Sequence, residues 1–169
     1  MNADLIITLI GMPGSGKSTV GGVLSQQLGL ERVDTDRLIE AREKQTLQQI
    51  MDTRGNAIFR TIEEQVLTEM PLLPSIISTG GSVIYSDKIM SRLRAASVVV
   101  YLRARYDTIE YRVSLDPHRG IAADGEQSLR DLYEERVPLY ERYSEIVVDC
   151  DDVRPEAVAE TITAQLQQG

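Results

Sequence analysis

Eight residues, Gly11 to Ser18, constrain this chain more than any other part of it, because they read G-x-x-x-x-G-K-S. The apolar run Leu5 to Ile10 precedes them, and a segment of helical spacing begins at Lys17. In this context a glycine-rich turn joins a buried strand to a helix and surrounds phosphate oxygens with backbone N–H groups. The alternative is a glycine-rich turn without function, which would not require the lysine and serine that complete the pattern.

The residue types within this loop fit a nucleoside triphosphate. The Lys17 ammonium group can reach the β- and γ-phosphates, and the Ser18 hydroxyl group can bind Mg²⁺. The positive end of the helix dipole adds to the attraction for phosphate. The candidate ATP-binding residues of the loop are Gly14, Ser15, Gly16, Lys17, Ser18 and Thr19.

Short β-rich runs alternate with helical segments along the whole chain, which predicts an α/β fold with a parallel sheet between two layers of helices. Several runs are continuously apolar, as strands buried on both faces are. The predicted strands are Leu5 to Ile10, Glu31 to Asp34, Ser75 to Ser78, Ser97 to Leu102 and Glu145 to Asp149. The predicted helices are Lys17 to Leu28, Ala57 to Met70, Ser86 to Arg94, Asp107 to Leu115, Leu129 to Tyr140 and Pro155 to Leu166.

One segment, at about residues 115–127, interrupts this alternation with proline, glycine and aspartate and has little apolar periodicity. A loop of about a dozen residues in a compact domain is usually functional or disordered. Beside a nucleotide site, it is interpreted as a mobile lid. It carries Arg119, which a closing lid could bring to the transferred phosphoryl group, and His118, the only histidine, which we expect to be exposed.

Composition narrows the remaining classes of function. The 169 residues carry a net charge of −8, which argues against a general nucleic-acid-binding surface. The single cysteine, Cys150, excludes a disulfide framework and is expected to be buried. No apolar run approaches the ~20 residues of a membrane span, and no secretory signal is recognisable. We therefore expect a cytoplasmic protein without nucleic-acid or membrane partners, and we expect a monomer.

Two aspartates, Asp34 and Asp36, stand at the end of the second predicted strand. Carboxylates at the carboxyl edge of a parallel sheet face the ligand crevice. Asp34 could hold Mg²⁺ through water, and Asp36 could accept a proton from an acceptor hydroxyl group. Capping of a helix that begins at Arg37 explains the same residues, and the two interpretations are compatible.

Three further features could contribute to a ligand site. Arg60 and Glu63 lie on one helix face, where Glu63 could fix a carboxylate-binding guanidinium group or form only a solvated ion pair. Gly80 and Gly81 follow the third strand and allow close backbone approach, although an ordinary turn would contain them too. Arg136 lies in the helical segment just after the lid, where it could neutralise charge on the transferred phosphoryl group as Arg119 could, or could equally be a surface residue.

In the order in which they follow one another along the chain, these motifs resemble those of the shikimate kinases, and the resemblance extends from about Leu5 to Leu166. The combination of Asp34-Thr35-Asp36 with Phe59-Arg60-x-x-Glu63 is more specific than the loop alone. The resemblance implies a nucleoside-monophosphate-kinase-like fold, a single domain over residues 1–169 and a substrate-binding region at about residues 34–63. It implies ATP-dependent phosphorylation of the shikimate 3-hydroxyl group, with Mg²⁺, in aromatic amino-acid biosynthesis.

The resemblance also assigns roles by position. Lys17, Asp36 and Arg119 would be catalytic, and Ser18 and Asp34 would hold the metal. Arg112, Arg119 and Arg154 would join the loop in binding ATP. The acceptor would be bound by Asp36, Arg60, Gly80, Gly81 and Arg136.

The sequence departs from the family pattern at three places, one of which is Asn56, where a glutamate is common before the Phe-Arg helix. Ser82 stands where a third glycine is usual, and the lid reads Arg119-Gly120-Ile121-Ala122 where Arg-Pro-Leu-Leu is usual. Two alternatives therefore stand beside a shikimate kinase. One is a related kinase of another carboxylated polyol such as gluconate, and the other is a non-catalytic nucleotide-binding module.

Overall fold

The structure is a computed structural model that describes residues 4–117, 121 and 125–169. Its five strands are β1 (Ile6–Ile10), β2 (Glu31–Asp34), β3 (Ser75–Ser78), β4 (Val98–Arg103) and β5 (Ile146–Asp149). Its α-helices are α1 (Lys17–Leu28), α2 (Thr35–Glu43), α3 (Leu47–Arg54), α4 (Asn56–Glu69), α5 (Asp87–Ala96), α6 (Tyr106–Ser114), α7 (Leu129–Tyr143) and α8 (Pro155–Gln168). A short 3₁₀ helix, Val83–Tyr85, lies between β3 and α5.

The strands form one parallel sheet in the order β2-β3-β1-β4-β5. The register sets Leu9 of β1 beside Ser78 of β3, and Ser78 beside Asp34 of β2. These three strands therefore end at nearly the same level, and the loops that follow them meet at one edge. That edge brings the glycine-rich loop, Asp36 and Gly80 together, although up to 70 positions of sequence separate them.

Both faces of the sheet are covered, which explains the continuous apolar runs. Successive side chains of a strand point to opposite faces. Ile10 of β1 and Tyr101 of β4 therefore join a core under α4, α5 and α7, whereas Leu9 and Val100 join a second core under α1 and α8. This three-layer, five-stranded parallel architecture confirms the fold predicted from the sequence.

The main correction concerns the segment between β2 and α4. Helix α3 was not predicted, and α2 begins at Thr35 rather than at Arg37. Thr46 caps α3 by accepting from the Gln49 N–H, and the Gln49 side chain accepts in return from the Thr46 N–H. The remaining helices lie where they were predicted, with ends that differ by a few residues at most. Cys150 is buried, as expected.

Candidate active site

A cavity of about 1130 Å³ opens at the carboxyl edge of the sheet. Its walls come from the glycine-rich loop, the ends of β2 and β3, and the segment between α2 and α3. The predicted site residues among its lining are Gly14, Ser15, Gly16, Lys17, Ser18, Thr19, Asp34, Asp36, Gly80, Gly81 and Arg112. The phosphate-binding loop and the candidate acceptor residues thus share one cavity.

The loop has the backbone conformation that its glycines allow. Gly14 and Gly16 have φ values of 82° and 97°, in the left-handed region that favours glycine. Gly16 is also the N-cap of α1. Because glycine has no side chain, it cannot accept hydrogen bonds from the first N–H groups of the helix. Those groups therefore face the cavity as donors for an anion.

Lys17 lies under this loop with only 9% of its surface exposed. Its Nζ donates to the carbonyl oxygens of Gly11, at 2.7 Å, and Met12, at 2.9 Å. The positive charge is thus fixed at the wall of the cavity. Buried charge at a fixed position acts more strongly on phosphate than the same charge in bulk water.

Asp34 has the capping role that the sequence left open. Its Oδ1 accepts from the Asp36 N–H at 3.1 Å and from the Arg37 N–H at 3.4 Å. It also lines the cavity, as Ser18 does. Capping fixes the Asp34 carboxylate in the wall of the cavity, and this position is compatible with the predicted metal-binding role.

The donor set at this place fits Mg²⁺. Ser18 and Asp34 supply oxygen ligands, which Mg²⁺ prefers, and nucleotide phosphates and water usually complete its coordination. Within the described ranges, no group of three or more His, Cys, Asp or Glu side chains could form a metal site by itself. A metal here would therefore be held jointly with the nucleotide.

Arg112 joins the phosphate loop to the end of β5. It donates to the carbonyl oxygen of Gly14 at 3.1 Å and to that of Cys150 at 3.2 Å. It also lines a second, more open cavity of about 520 Å³, and Arg154 lines this cavity too. Arg154 itself is exposed and lies 3.6 Å from the Glu156 carboxylate. Both arginines thus line the smaller cavity, which Asp36 does not line.

On the acceptor side, two carboxylates converge on Gly80. A Cβ atom added at Gly80 would lie 2.7 Å from Asp36 Oδ1 and 3.1 Å from Glu63 Oε2. Glu63 is 2% exposed, and its Oε1 accepts from the Ser82 hydroxyl at 2.9 Å. The interpretation of Arg60 and Glu63 as a solvated surface pair was therefore wrong, since Glu63 is in the core behind the cavity wall.

Burial raises the pKa of Glu63 to about 7, although the Ser82 hydrogen bond opposes the shift. The neighbouring Asp36 raises this pKa further, and Arg136 and Arg60 lower it. The carboxyl group therefore binds its proton more tightly in the folded protein than in the unfolded chain.

Glu63→Gln is expected to change how stability depends on pH. Between the unfolded pKa of 4.5 and the folded pKa of about 7 the native state holds the extra proton, so wild-type stability falls as pH rises. At ~1.4 kcal/mol per unit of pKa difference, the loss is about 2 to 4 kcal/mol. Glutamine cannot titrate but can accept from Ser82. Urea unfolding of both proteins from pH 4.5 to 8 measures the difference, and a constant difference would mean that Glu63 does not titrate there.

The two candidate carboxylate-binding arginines meet at Tyr85. The guanidinium carbon of Arg60 lies 4.2 Å from the centre of the Tyr85 ring, and that of Arg136 lies 5.3 Å from it. Arg136 is 1% exposed, and a Cβ atom at Gly81 would lie 2.9 Å both from its Nη1 and from Cδ of Pro13. Neither arginine lines the cavity, but Arg136 lies directly behind Gly81 in its wall.

Two predicted residues cannot be placed. Arg119 and His118 lie outside the described residues, as does most of the lid pattern from Gly120 to Ala122. Conversely, the structure adds Tyr85, Glu63 and Ser82 to the acceptor side. Sequence spacing gave no sign of Tyr85, because its partner Arg136 lies 51 positions away.

In the part of the chain that the structure describes, no helix combines the length and apolar character needed to cross a bilayer.

Comparison with known proteins shows which family this chain is similar to. A model of that family, shikimate kinase, matches residues 13–167. The chain is 40% identical over 150 residues to a shikimate kinase of Paracidovorax citrulli, covering 86% of this chain and 82% of the relative. It is 38% identical over 163 residues to one of Alteromonas mediterranea, covering 95% of each. The solved structure of shikimate kinase from Acinetobacter baumannii in complex with shikimate superimposes with a TM-score of 0.90, at 30% identity, covering 98% of this chain and 95% of that one.

Proposed function

The chain belongs to the shikimate kinase family, and from this premise we propose how it transfers the γ-phosphoryl group of ATP to the 3-hydroxyl group of shikimate. One observation supports the assignment of residues most directly. A single cavity joins the phosphate loop to Asp36 and Gly80, and two arginines meet at Tyr85, one of which, Arg136, lies directly behind Gly81 in the cavity wall. One end of the cavity suits ATP, and the other suits a small acid with hydroxyl groups.

In the proposed reaction, Asp36 accepts the proton of the 3-hydroxyl group as that oxygen attacks the γ-phosphorus atom. The bond between this phosphorus atom and the β,γ-bridging oxygen breaks, and ADP leaves. Lys17, the N–H groups of the loop and Arg119 stabilise the charge on the transferred group. Gly80 and Gly81, which line the cavity, are proposed to offer their backbone groups to shikimate.

Mg²⁺ is the proposed metal, held by Ser18 directly and by Asp34 through water, and it would neutralise charge on the phosphates. Arg112 and Arg154 are proposed to flank the adenine, because both line the smaller cavity beyond the phosphate loop.

Arg60 and Arg136 are proposed to bind the shikimate carboxylate. Guanidinium groups suit this role because they donate two parallel hydrogen bonds to a carboxylate. Glu63 lies beside both and contributes negative charge when ionised.

The test is an acceptor panel in a coupled ADP-release assay. Shikimate, gluconate and nucleoside monophosphates are compared at equal concentration, with an acceptor-free reaction to measure background ATP hydrolysis. Of these acceptors, only shikimate is expected to be phosphorylated. Turnover of another acceptor without turnover of shikimate would contradict the proposal, and ATP binding without any turnover would indicate a non-catalytic module.

Arg60→Ala is expected to raise the KM for shikimate by roughly 10- to 100-fold, because a hydrogen bond to a charged group contributes about 1.5 to 3 kcal/mol. The KM for ATP should stay within twofold of the wild type, since Arg60 does not line the cavity around the phosphate loop. Arg42→Ala is the matched control, because Arg42 forms an exposed ion pair with Glu69 at 3.0 Å. An unchanged KM for shikimate would remove Arg60 from the carboxylate site.

The proposal also includes a monomeric kinase domain in the cytoplasm, with an acceptor region at about residues 34–63 and a lid at about residues 115–127. The net charge of −8 supports the absence of a nucleic-acid partner. Sedimentation equilibrium with and without both substrates tests the monomer, and a mass of twice the 18.8 kDa of the chain would contradict it.

A further inference from the structure

Tyr85 makes a set of contacts that the reaction described above does not use. It ends the 3₁₀ helix that follows Gly80, Gly81 and Ser82. Its hydroxyl group donates to Glu135 Oε2 at 2.5 Å and accepts from Arg136 Nε at 3.3 Å. The guanidinium group of Arg60 covers the Tyr85 ring, and the guanidinium group of Arg136 lies near the same ring. One side chain thus contacts both candidate carboxylate-binding residues.

Two guanidinium groups that approach one substrate group repel each other before that substrate arrives. Arg136 is almost completely buried, so water does little to weaken the repulsion. The face of an aromatic ring attracts a cation, and more strongly where water is excluded. The Tyr85 ring therefore offsets part of the repulsion and restricts where each guanidinium group can lie.

Glu135 fixes the orientation of Tyr85. The Oε2 atom that accepts from the Tyr85 hydroxyl also accepts from the Gln127 side chain at 3.1 Å. Because the hydroxyl hydrogen is directed at Glu135, its oxygen lone pairs face Arg136 Nε. Burial and the Glu135 hydrogen bond both raise the pKa of Tyr85, which keeps the hydroxyl group protonated as this arrangement requires.

We propose that Tyr85 is a positioning residue for the acceptor carboxylate, holding Arg60 and Arg136 in the geometry in which they bind it, and so favours acceptors that carry this group. The inference rests on the proposed function, in which these two arginines bind the shikimate carboxylate. Tyr85 acts through them, and it has no contact with the phosphate loop among the described interactions.

Two substitutions separate the ring from the hydroxyl group. Tyr85→Leu removes both and is expected to raise the KM for shikimate by roughly 5- to 30-fold, the range that a desolvated cation–π contact implies. Tyr85→Phe keeps the ring and should raise this KM by only about threefold, since of the contacts with the two arginines only the hydrogen bond from Arg136 is lost. For both variants the KM for ATP should stay within twofold of the wild type.

The methyl ester of shikimate tests whether the effect passes through the carboxylate. It has no negative charge for the arginines to bind, so its kcat/KM should change by less than twofold in Tyr85→Leu. Tyr106→Leu is the matched control, because Arg130 covers the Tyr106 ring at 4.0 Å outside both cavities. It should leave all kinetic constants unchanged.

A raised KM for shikimate with an unaffected ester supports the inference. Equal losses for shikimate and the ester would overturn it, as Tyr85 would then shape the pocket only. An unchanged KM for shikimate in a folded Tyr85→Leu variant would overturn it too, while a raised KM in Arg60→Ala would leave the proposed function intact. If Tyr85→Leu does not fold, Tyr85→Phe decides in the same way, and an unchanged KM for shikimate would overturn the inference.

Discussion

Lys17→Met is expected to lower kcat for the phosphorylation of shikimate by roughly a thousandfold, the upper range for removal of one preorganised charge-stabilising group. The Lys17 Nζ is fixed by the carbonyl oxygens of Gly11 and Met12 at the wall of the cavity. In the transition state it would stabilise negative charge on the β- and γ-phosphates. Methionine keeps much of the chain length and apolar surface but has no positive charge.

The measurement is single-turnover phosphorylation at saturating ATP and shikimate, so that a change in binding does not hide a change in the chemical step. Lys88→Met is the control, because Lys88 is exposed on α5 and lines neither cavity. Urea unfolding checks that the substituted loop still folds, since the two carbonyl oxygens lose a buried donor. Activity within tenfold of wild type would contradict a role for Lys17 in phosphoryl transfer.

The phosphate end of the site was predictable because its geometry is local. The residues from Gly11 to Ser18 are contiguous, and the strand before them is apolar on both faces. Left-handed backbone at Gly14 and Gly16 follows from the residue type, as does the uncapped start of α1. The strands were predictable for a related reason, since a parallel strand buried on both faces gives a continuous apolar run.

Helix α3 was missed because its apolar periodicity is weak. Its buried residues are only Ile50 and Met51, within eight residues otherwise rich in polar side chains. A signal was nevertheless present, because Thr46 and Gln49 have the spacing of a capping box. In such a segment the capping residues predict a helix better than the hydrophobic pattern does.

The acceptor side could be predicted only in part, because its contacts join distant parts of the sequence. Arg60 and Glu63 share a helix face, but the spacing alone suggested a solvated pair. Only the packing of α4 against the loop after β3 shows that Glu63 is buried against Ser82, 19 positions away. In the same way, Tyr85 contacts Arg136 because α7 lies beside the 3₁₀ helix.

Gly80→Ala is expected to lower kcat by about a hundredfold, the loss that misplacement of a reacting group by ~1 Å can cause. The new methyl group would lie 2.7 Å from Asp36 Oδ1, so this carboxylate must leave the position in which it is proposed to accept the hydroxyl proton. It cannot move towards Glu63, whose Oε2 would lie only 3.1 Å from the same methyl group. The φ angle of Gly80 lies outside the left-handed region, so the effect comes from these contacts and not from backbone strain.

Gly22→Ala is the matched control for this substitution. A methyl group there meets only the Arg32 side chain, at 3.4 Å, and Gly22 lies inside α1. Alanine should therefore raise the free energy of unfolding by about 0.5 to 1 kcal/mol and leave kcat unchanged. For Gly80→Ala the KM for ATP should also stay unchanged, because the phosphate loop is not disturbed. A rise in the KM for shikimate at unchanged kcat would contradict displacement of Asp36, since the methyl group would then obstruct the acceptor while the proposed base kept its place.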